Sequence, residues 1–312
     1  MSEEKNVKRL NRVQIVGTLV ETGNLKFYKD AENKSNSEIV GAIVRNDYKK
    51  PAFVIDVDGN KIGVNTMITY KQKVDKETGK IVDNDRFKAL QTIMEYEVGT
   101  RVKVDGQIQI GTPYAGKNGV VETVDVTMFS MSSTGVPEKD SAEGKVSGII
   151  KAINNEEVND DETGRLLVDF WIMNYDGTVS PFPLVVEEDI ANGFEDVYDA
   201  GDSVILDYDI VTKQVGGKKA ESAGFGRKES NIVSGYSKTE YSVFNGENPV
   251  DDESDYYIDP DDFKKLLKEH KQKCEEAMNA GKEKFSSPKK GLSSTRKSKI
   301  DDEDDDENPF DD

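Results

Sequence analysis

Apolar and polar residues alternate through the first 135 positions in the way half-buried strands require. In 12–20, Val13, Ile15 and Leu19 fall on one face, with Gln14 and Thr18 on the other. Residues 39–45 and 52–57 are apolar runs of strand length, and 61–70 alternates again with Ile62, Val64, Thr66 and Ile68 on one side. The clearest strand is 101–110, where Val102, Val104, Ile108 and Ile110 oppose Arg101, Lys103, Asp105, Gln107 and Gln109. A last strand spans 120–129. One helical period interrupts the series: Phe87, Leu90, Ile93 and Met94, preceded by Asp83, Asn84 and Asp85 as capping chemistry. Strands, one helix, then two more strands is the element order of an OB-fold barrel.

A second block repeats that order. Tyr96–Asp105 matches Tyr198–Asp207, with Tyr, Gly, Val and Asp coincident and apolar parity kept. Ile15–Leu19 matches Val146–Ile150. A helical stretch carrying Ile190, Phe194, Val197 and Tyr198 precedes the second Tyr-x-x-Gly, as one precedes the first. The expected fold class is therefore all-β with minor helices: two tandem OB-fold barrels over 1–135 and 136–250, with Ser130–Ala142 as the linker. Beyond them Asp259, Pro260, Asp261 and Asp262 predict a helix start. Phe263, Leu266, Leu267, His270, Cys274, Ala277 and Met278 share one face of that helix, and Gly281 is expected to end it, giving a helical unit within 251–281. Residues 282–300 read as a basic flexible linker and 301–312 as a disordered acidic tail.

Charge divides the chain. The net charge is −19, but residues 1–135 carry 20 basic and 18 acidic side chains (+2), while 136–258 carry 10 and 27 (−17). Residues 259–300 stand at +5 and 301–312 at −9. Only the first block and residues 259–300 are expected to approach phosphate without strong repulsion. No apolar run approaches the ~20 residues of a membrane helix. Met1–Lys5 lacks the apolar core of a signal peptide, so a cytoplasmic setting is expected. A single Cys and a single His exclude a disulfide framework and an all-Cys/His zinc site, and His270 and Cys274 read as part of a packed helix face. No metal, no cofactor and no catalytic constellation is expected.

Single-stranded nucleic acid requires cations along the phosphates and flat rings to stack bases. The first block interleaves both: Lys26-Phe27-Tyr28-Lys29 after the first strand, Arg45 and Tyr48-Lys49-Lys50 after the second, Tyr70-Lys71 and Lys73 after the third, and Tyr114 with Lys117 in a Gly-rich turn. Most of these positions are expected at strand ends or in loops, where an OB-fold presents its groove. In the second block Phe170, Trp171 and Phe182 read as core. One basic loop, Lys213 to Lys228, offers Lys218, Lys219, Phe225, Arg227 and Lys228 as auxiliary contacts.

Asn11–Leu19 and Gly99–Ile108 resemble the first and fourth strands of bacterial single-stranded DNA-binding proteins. Asp301–Phe310 is similar to their acidic tail, which ends in a partner-docking Pro-Phe pair. The resemblance implies a sequence-tolerant binder that coats single-stranded DNA in replication, recombination and repair, with Phe27, Tyr28 and Tyr114 as stacking residues. It also implies that Asp304, Asp305, Asp306, Pro309 and Phe310 dock replication or recombination proteins. The chain departs from the family in having two barrels, no Trp in the first block, and Asp311 and Asp312 after the Phe. That plan looks most like a phage-encoded relative, acting in a bacterial host's cytoplasm and able to form a homo-oligomer. The competing expectation is an acidic protein-interaction adaptor whose OB-like domains bind no nucleic acid.

Overall fold

The computed structural model describes residues 7–33, 38–75, 77–116, 119–133, 135, 138–158, 161–215 and 236–286. The first half holds β1 (Asn11–Glu21), β2 (Leu25–Asn33), β3 (Glu38–Arg45), β4 (Phe53–Val57), β5 (Asn60–Asn65), β6 (Thr69–Tyr70), β7 (Gln72–Val74) and β8 (Ile81–Asp83). After α1 (Asp85–Met94) come β9 (Arg101–Ile110), β10 (Tyr114–Gly116), β11 (Gly119–Val121) and β12 (Val124–Ser133). The second half holds β13 (Ser141–Val158), β14 (Asp161–Met173), β15 (Val179–Pro181), β16 (Leu184–Val186), α2 (Glu188–Glu195), β17 (Ser203–Val215), β18 (Tyr236–Gly246) and α3 (Pro260–Ser286).

Each half closes a five-stranded barrel. In the first, β1 pairs with β4, β4 with β5, β5 with β12 in parallel, β12 with β9, and β9 returns to β1. In the second, the circuit β13–β14–β16–β18–β17–β13 repeats every step, including the parallel pair. A single helix enters each circuit before its fourth strand, as α1 before β9 and α2 before β17. Closure removes the free sheet edges that an open β-sheet would have to protect. Both halves are thus OB-folds, and no helix among the described residues is long and apolar enough to cross a membrane.

The periodicities become burial. Val102, Val104 and Ile108 of β9 point into the first barrel beside Ile15, Leu19, Ile55 and Val64, all at most 2% exposed. The second interior is aromatic: Phe182, Tyr208 and Tyr241 meet with centroids 4.7–5.8 Å apart. Phe170, Trp171 and Phe182 are core, as their sequence setting predicts. Gly17 and Gly148, matched in the two repeats, sit where the first strand crosses the second strand of its barrel. A Cβ there would collide with the carbonyl oxygens of Asp56 and Trp171 respectively.

The barrels join through β1 and β13, which pair antiparallel over Asn11–Val16 and Ser141–Val146. The matched repeats make Val13 the counterpart of Gly144, and these two residues lie opposite each other in that pair. A local two-fold axis therefore passes between them. Outside the barrels, Asp259 Oδ1 caps α3 by accepting the Asp261 and Asp262 N–H groups at 2.8 and 3.2 Å. Phe263, Leu266 and Leu267 pack on Trp171, Ile149 and Val179. Gly281 does not end α3, which continues to Ser286. One interior Gly costs only about 1 kcal/mol relative to Ala, too little to stop a helix flanked by Ala277, Met278, Ala280, Lys282 and Glu283.

Candidate functional site

In the second barrel β13 and β14 are unbroken strands of 18 and 13 residues. The corresponding strands of the first barrel break, and one side chain holds the break. Asn24 donates to the carbonyl oxygens of Asp47, Lys50 and Pro51 at 2.8–2.9 Å and accepts the Asp47 N–H at 2.9 Å. The β2–β3 hairpin consequently leaves the barrel and forms a separate sheet in the order β2–β3–β6. Lys26–Lys29 thus lie within a strand, correcting their expected place in a loop. The stretch 61–70 also divides, into β5 and β6, with Thr66–Ile68 between.

Register sorts the hairpin's side chains. Phe27, Ile43 and Thr69 form one row across the three strands; Tyr28, Ala42 and Tyr70 form the next. Adjacent rows face opposite ways. The Phe27 row faces α1: Ile43 is fully buried, and Phe27 meets Phe87 edge-on at 5.8 Å while its ring stays 43% exposed. The Tyr28 row turns outward, with two tyrosines flanking a small residue and Lys26 Nζ 5.4 Å from the Tyr28 ring centroid. Phe27 and Tyr28, both expected to stack on bases, lie on opposite faces of the strand. Asn84 fixes the far edge: it caps α1 by accepting Arg86 N–H and donates to the Tyr70 carbonyl at 2.8 Å.

The turn after β3 adds a second cluster. Arg45 donates to Asn65 Oδ1 at 2.5 Å, and its guanidinium lies 5.1 Å from the ring centroid of Tyr48, itself 68% exposed. Arg45, Tyr48, Lys49 and Lys50 line a cleft of about 200 Å³ that reaches Thr239 and Tyr241 of the second barrel.

The barrels differ in how their cations are paired, although Lys88, Arg101 and Lys103 of the first barrel also form ion pairs. Among the described residues, no ion pair involves Lys26, Lys29, Arg45, Lys49, Lys50, Lys71 or Lys73. The second barrel's Lys145, Lys151, Arg165, Lys213 and Lys238 are all paired. Glu240 anchors that network. Burial pushes its carboxyl up, but hydrogen bonds from Lys213, Arg165 and Lys238 more than reverse this and hold it at about 2. Lys213, which opens the auxiliary basic loop, is thus held by Glu187 and Glu240 rather than free for phosphate.

Tyr114 begins the β10–β11 hairpin, is half exposed, and lies on the hairpin against which α3 packs. Lys117, Lys218, Lys219, Phe225, Arg227 and Lys228 lie outside the described residues, as do Asp304, Asp305, Asp306, Pro309 and Phe310.

Two surfaces have no signal in the sequence pattern. A cleft of about 630 Å³ between the halves is lined by Arg9, Met67, Pro113, Phe129, Tyr175 and Lys273, among others, with Arg9 5.4 Å from the ring of the 85%-exposed Tyr175. A second cleft, of about 590 Å³, straddles the two-fold axis. Its rings are Phe129 and Phe244, each 47% exposed. Each is the bulge residue of its barrel's last strand, between Met128 and Ser130 or between Val243 and Asn245. A bulge turns one side chain out of the alternation, which no hydrophobic pattern announces. Gln14 bonds Asp105, and the counterpart Lys145 pairs with Asp207, so the polar rim is repeated too.

Two closed barrels of one topology, joined strand to strand, define a tandem OB-fold protein. Its sequence matches the YorF family model over residues 9–280, and the chain belongs to that family. Among solved structures it is similar to the single-stranded DNA binding protein from Thermus aquaticus. The wild-type crystal structure is 10% identical, covering 78% of this chain and 95% of that one, with a TM-score of 0.44. A deletion variant of the same protein is 11% identical, covering 78% and 97%, with a TM-score of 0.45. No curated protein matches the sequence.

Proposed function

We propose that this protein is a non-catalytic binder of single-stranded DNA whose primary contact surface is the outward face of the β2–β3–β6 sheet together with the Arg45–Lys50 turn. The observation that carries the reading is the set of seven cations without ion-pair partners among the described residues, interleaved with Tyr28, Tyr48 and Tyr70. A polyanion meets cations there that form no ion pair among the described residues, beside rings that accept any base. The acidic second barrel, residues 136–250, makes oligomer or partner contacts, with residues 218–228 as an auxiliary DNA contact. Residues 301–312, tethered by the preceding linker, recruit replication, recombination and repair proteins through Pro309 and Phe310. The protein acts in a bacterial cytoplasm, in the setting of a phage or its host.

Fluorescence polarisation of labelled oligo-dT across a salt series tests the reading. Binding that is tight at low salt, weakens steeply with added salt and tolerates changes of sequence is expected. No binding at low salt would leave the protein-interaction adaptor as the account of the same fold.

A further inference from the structure

The chain's only histidine and only cysteine meet a glutamate from a distant part of the fold. His270 and Cys274 are one turn apart on α3, and Cys274 Sγ lies 3.4 Å from His270 Nε2. Glu122, in the link between β11 and β12, brings Oε2 to 3.3 Å from the same Nε2. All three donor atoms lie within 4.8 Å of one another. The Glu122 and His270 side chains are only 13% and 12% exposed. The ring of Trp171 abuts the imidazole at 4.9 Å in an edge-on arrangement and fixes its plane.

Hydrogen bonding leaves this arrangement incompletely satisfied. Nε2 carries either one hydrogen or one lone pair. It can donate to Glu122 or accept from the thiol, but it cannot do both. Glu122 Oε1 is also buried without a hydrogen-bond partner. A cation among the three donors satisfies all of them at once. Zinc–ligand distances of about 2.3 Å to sulfur and about 2.0–2.2 Å to nitrogen and oxygen imply tetrahedral edges of roughly 3.4–3.6 Å. The two measured edges, 3.3 and 3.4 Å, lie close to those values.

We propose that Glu122, His270 and Cys274 form a binding site for one tetrahedral, borderline-soft divalent cation of the Zn²⁺ class. Thiolate, imidazole and carboxylate together select such an ion over Mg²⁺ or Ca²⁺, which take oxygen shells. One thiolate and one carboxylate neutralise its two charges. Glu122 and His270 also line the 630 Å³ cleft, so a water or a ligand can fill the fourth position from there. The ion fastens α3, which packs on Trp171 of the second barrel, to a loop of the first. Burial raises the Glu122 carboxyl, partly offset by His270, and raises the Cys274 thiol with help from the Glu122 charge. The thiolate is the form that binds metal, so binding displaces the Cys274 proton.

The test is a Co²⁺ titration of the full, reduced, chelator-stripped chain. Cys274 is the only thiol, so a thiolate-to-cobalt charge-transfer band reports this site alone; the acidic tail can bind Co²⁺ but cannot give that band. The band should saturate at one ion per chain and bleach when Zn²⁺ is added. Cys274→Ser should abolish it, and Glu122→Gln or His270→Ala should weaken the affinity by more than about 100-fold, beyond the roughly 10–100-fold typical of losing an outer partner. Zn²⁺ should raise the melting temperature of the parent but not of Cys274→Ser. Absence of the band in the unmutated chain overturns the proposal whatever the variants do. So does a His270→Ala or Glu122→Gln protein that binds Co²⁺ as the parent does.

Discussion

Val13 lies directly opposite Gly144, its own counterpart in the repeat, in the strand pair that joins the barrels. The partners of these two residues on the fourth strands are also counterparts: Val13 faces Gly106, and Gly144 faces Tyr208. Bulk has moved from the first strand of one barrel to the fourth strand of the other while the register stayed fixed. A Cβ at Gly144 would overlap the Tyr208 ring, which is fully buried between Phe182 and Tyr241. Gly144→Ala should therefore cost about 1–3 kcal/mol as overpacking. Gly193→Ala, in α2 with open space around it, should gain up to about 1 kcal/mol from helix propensity. Urea midpoints of the two variants measure both, and an equal loss at both positions would contradict the packing account.

Opposite facings of adjacent residues make a second pair of expectations. Tyr28→Ala should weaken single-stranded DNA binding by about 1–3 kcal/mol if its ring stacks on a base, with thermal stability nearly unchanged. Phe27→Ala should cost more stability and less binding than Tyr28→Ala, because the half-exposed Phe27 ring also packs on Phe87. Parallel melting and binding curves separate them, and a larger binding loss for Phe27→Ala would place the contact surface on the wrong face.

The second barrel carries a pH signature. Glu240 is held at about 2 against an ordinary 4.5. A carboxyl lowered on folding adds stability above its unfolded value and loses it as pH falls through the folded one. The parent's advantage over Glu240→Gln should be complete at neutral pH and shrink from about 4.5 towards 2. Urea titrations over that range check it, and a difference that grows on acidification would contradict the ion-pair network.

The acidic tail should compete with DNA for the first barrel's cations from a tether, an effect that salt screens. Deleting 301–312 should tighten DNA binding at low salt and matter less at high salt. Phe310→Ala keeps all nine acids, so it should leave DNA affinity unchanged while abolishing partner capture. If Phe310→Ala shifts DNA affinity as much as the truncation does, the two roles are not separate.

Much of the architecture is legible in the chain. The alternation of 101–110, the helix with Phe87, Leu90 and Ile93, and the repeated Tyr-x-x-Gly each mark a barrel element, because a closed barrel buries one side of every strand. Three things escape such patterns. β2, Leu-Lys-Phe-Tyr-Lys-Asp-Ala-Glu-Asn, shows almost no apolar alternation, because it belongs to a small sheet whose outer face is wet. The break that frees it depends on Asn24 reaching Asp47, Lys50 and Pro51, contacts that no local period encodes. Glu122 joins His270 across nearly half the chain, so two of three converging residues read as an ordinary helix face.

The salt dependence of oligo-dT affinity in two sets of lysine variants tests the central claim most directly. One set replaces Lys26, Lys29, Lys49 and Lys50 with Ala; the other replaces Lys145, Lys151 and Lys238. Each phosphate that a lysine neutralises on a single strand adds roughly 0.7 to the slope. The first set should flatten the slope by up to roughly 2.8 and the second should leave it unchanged. A slope that falls with the second set and holds with the first would contradict the account.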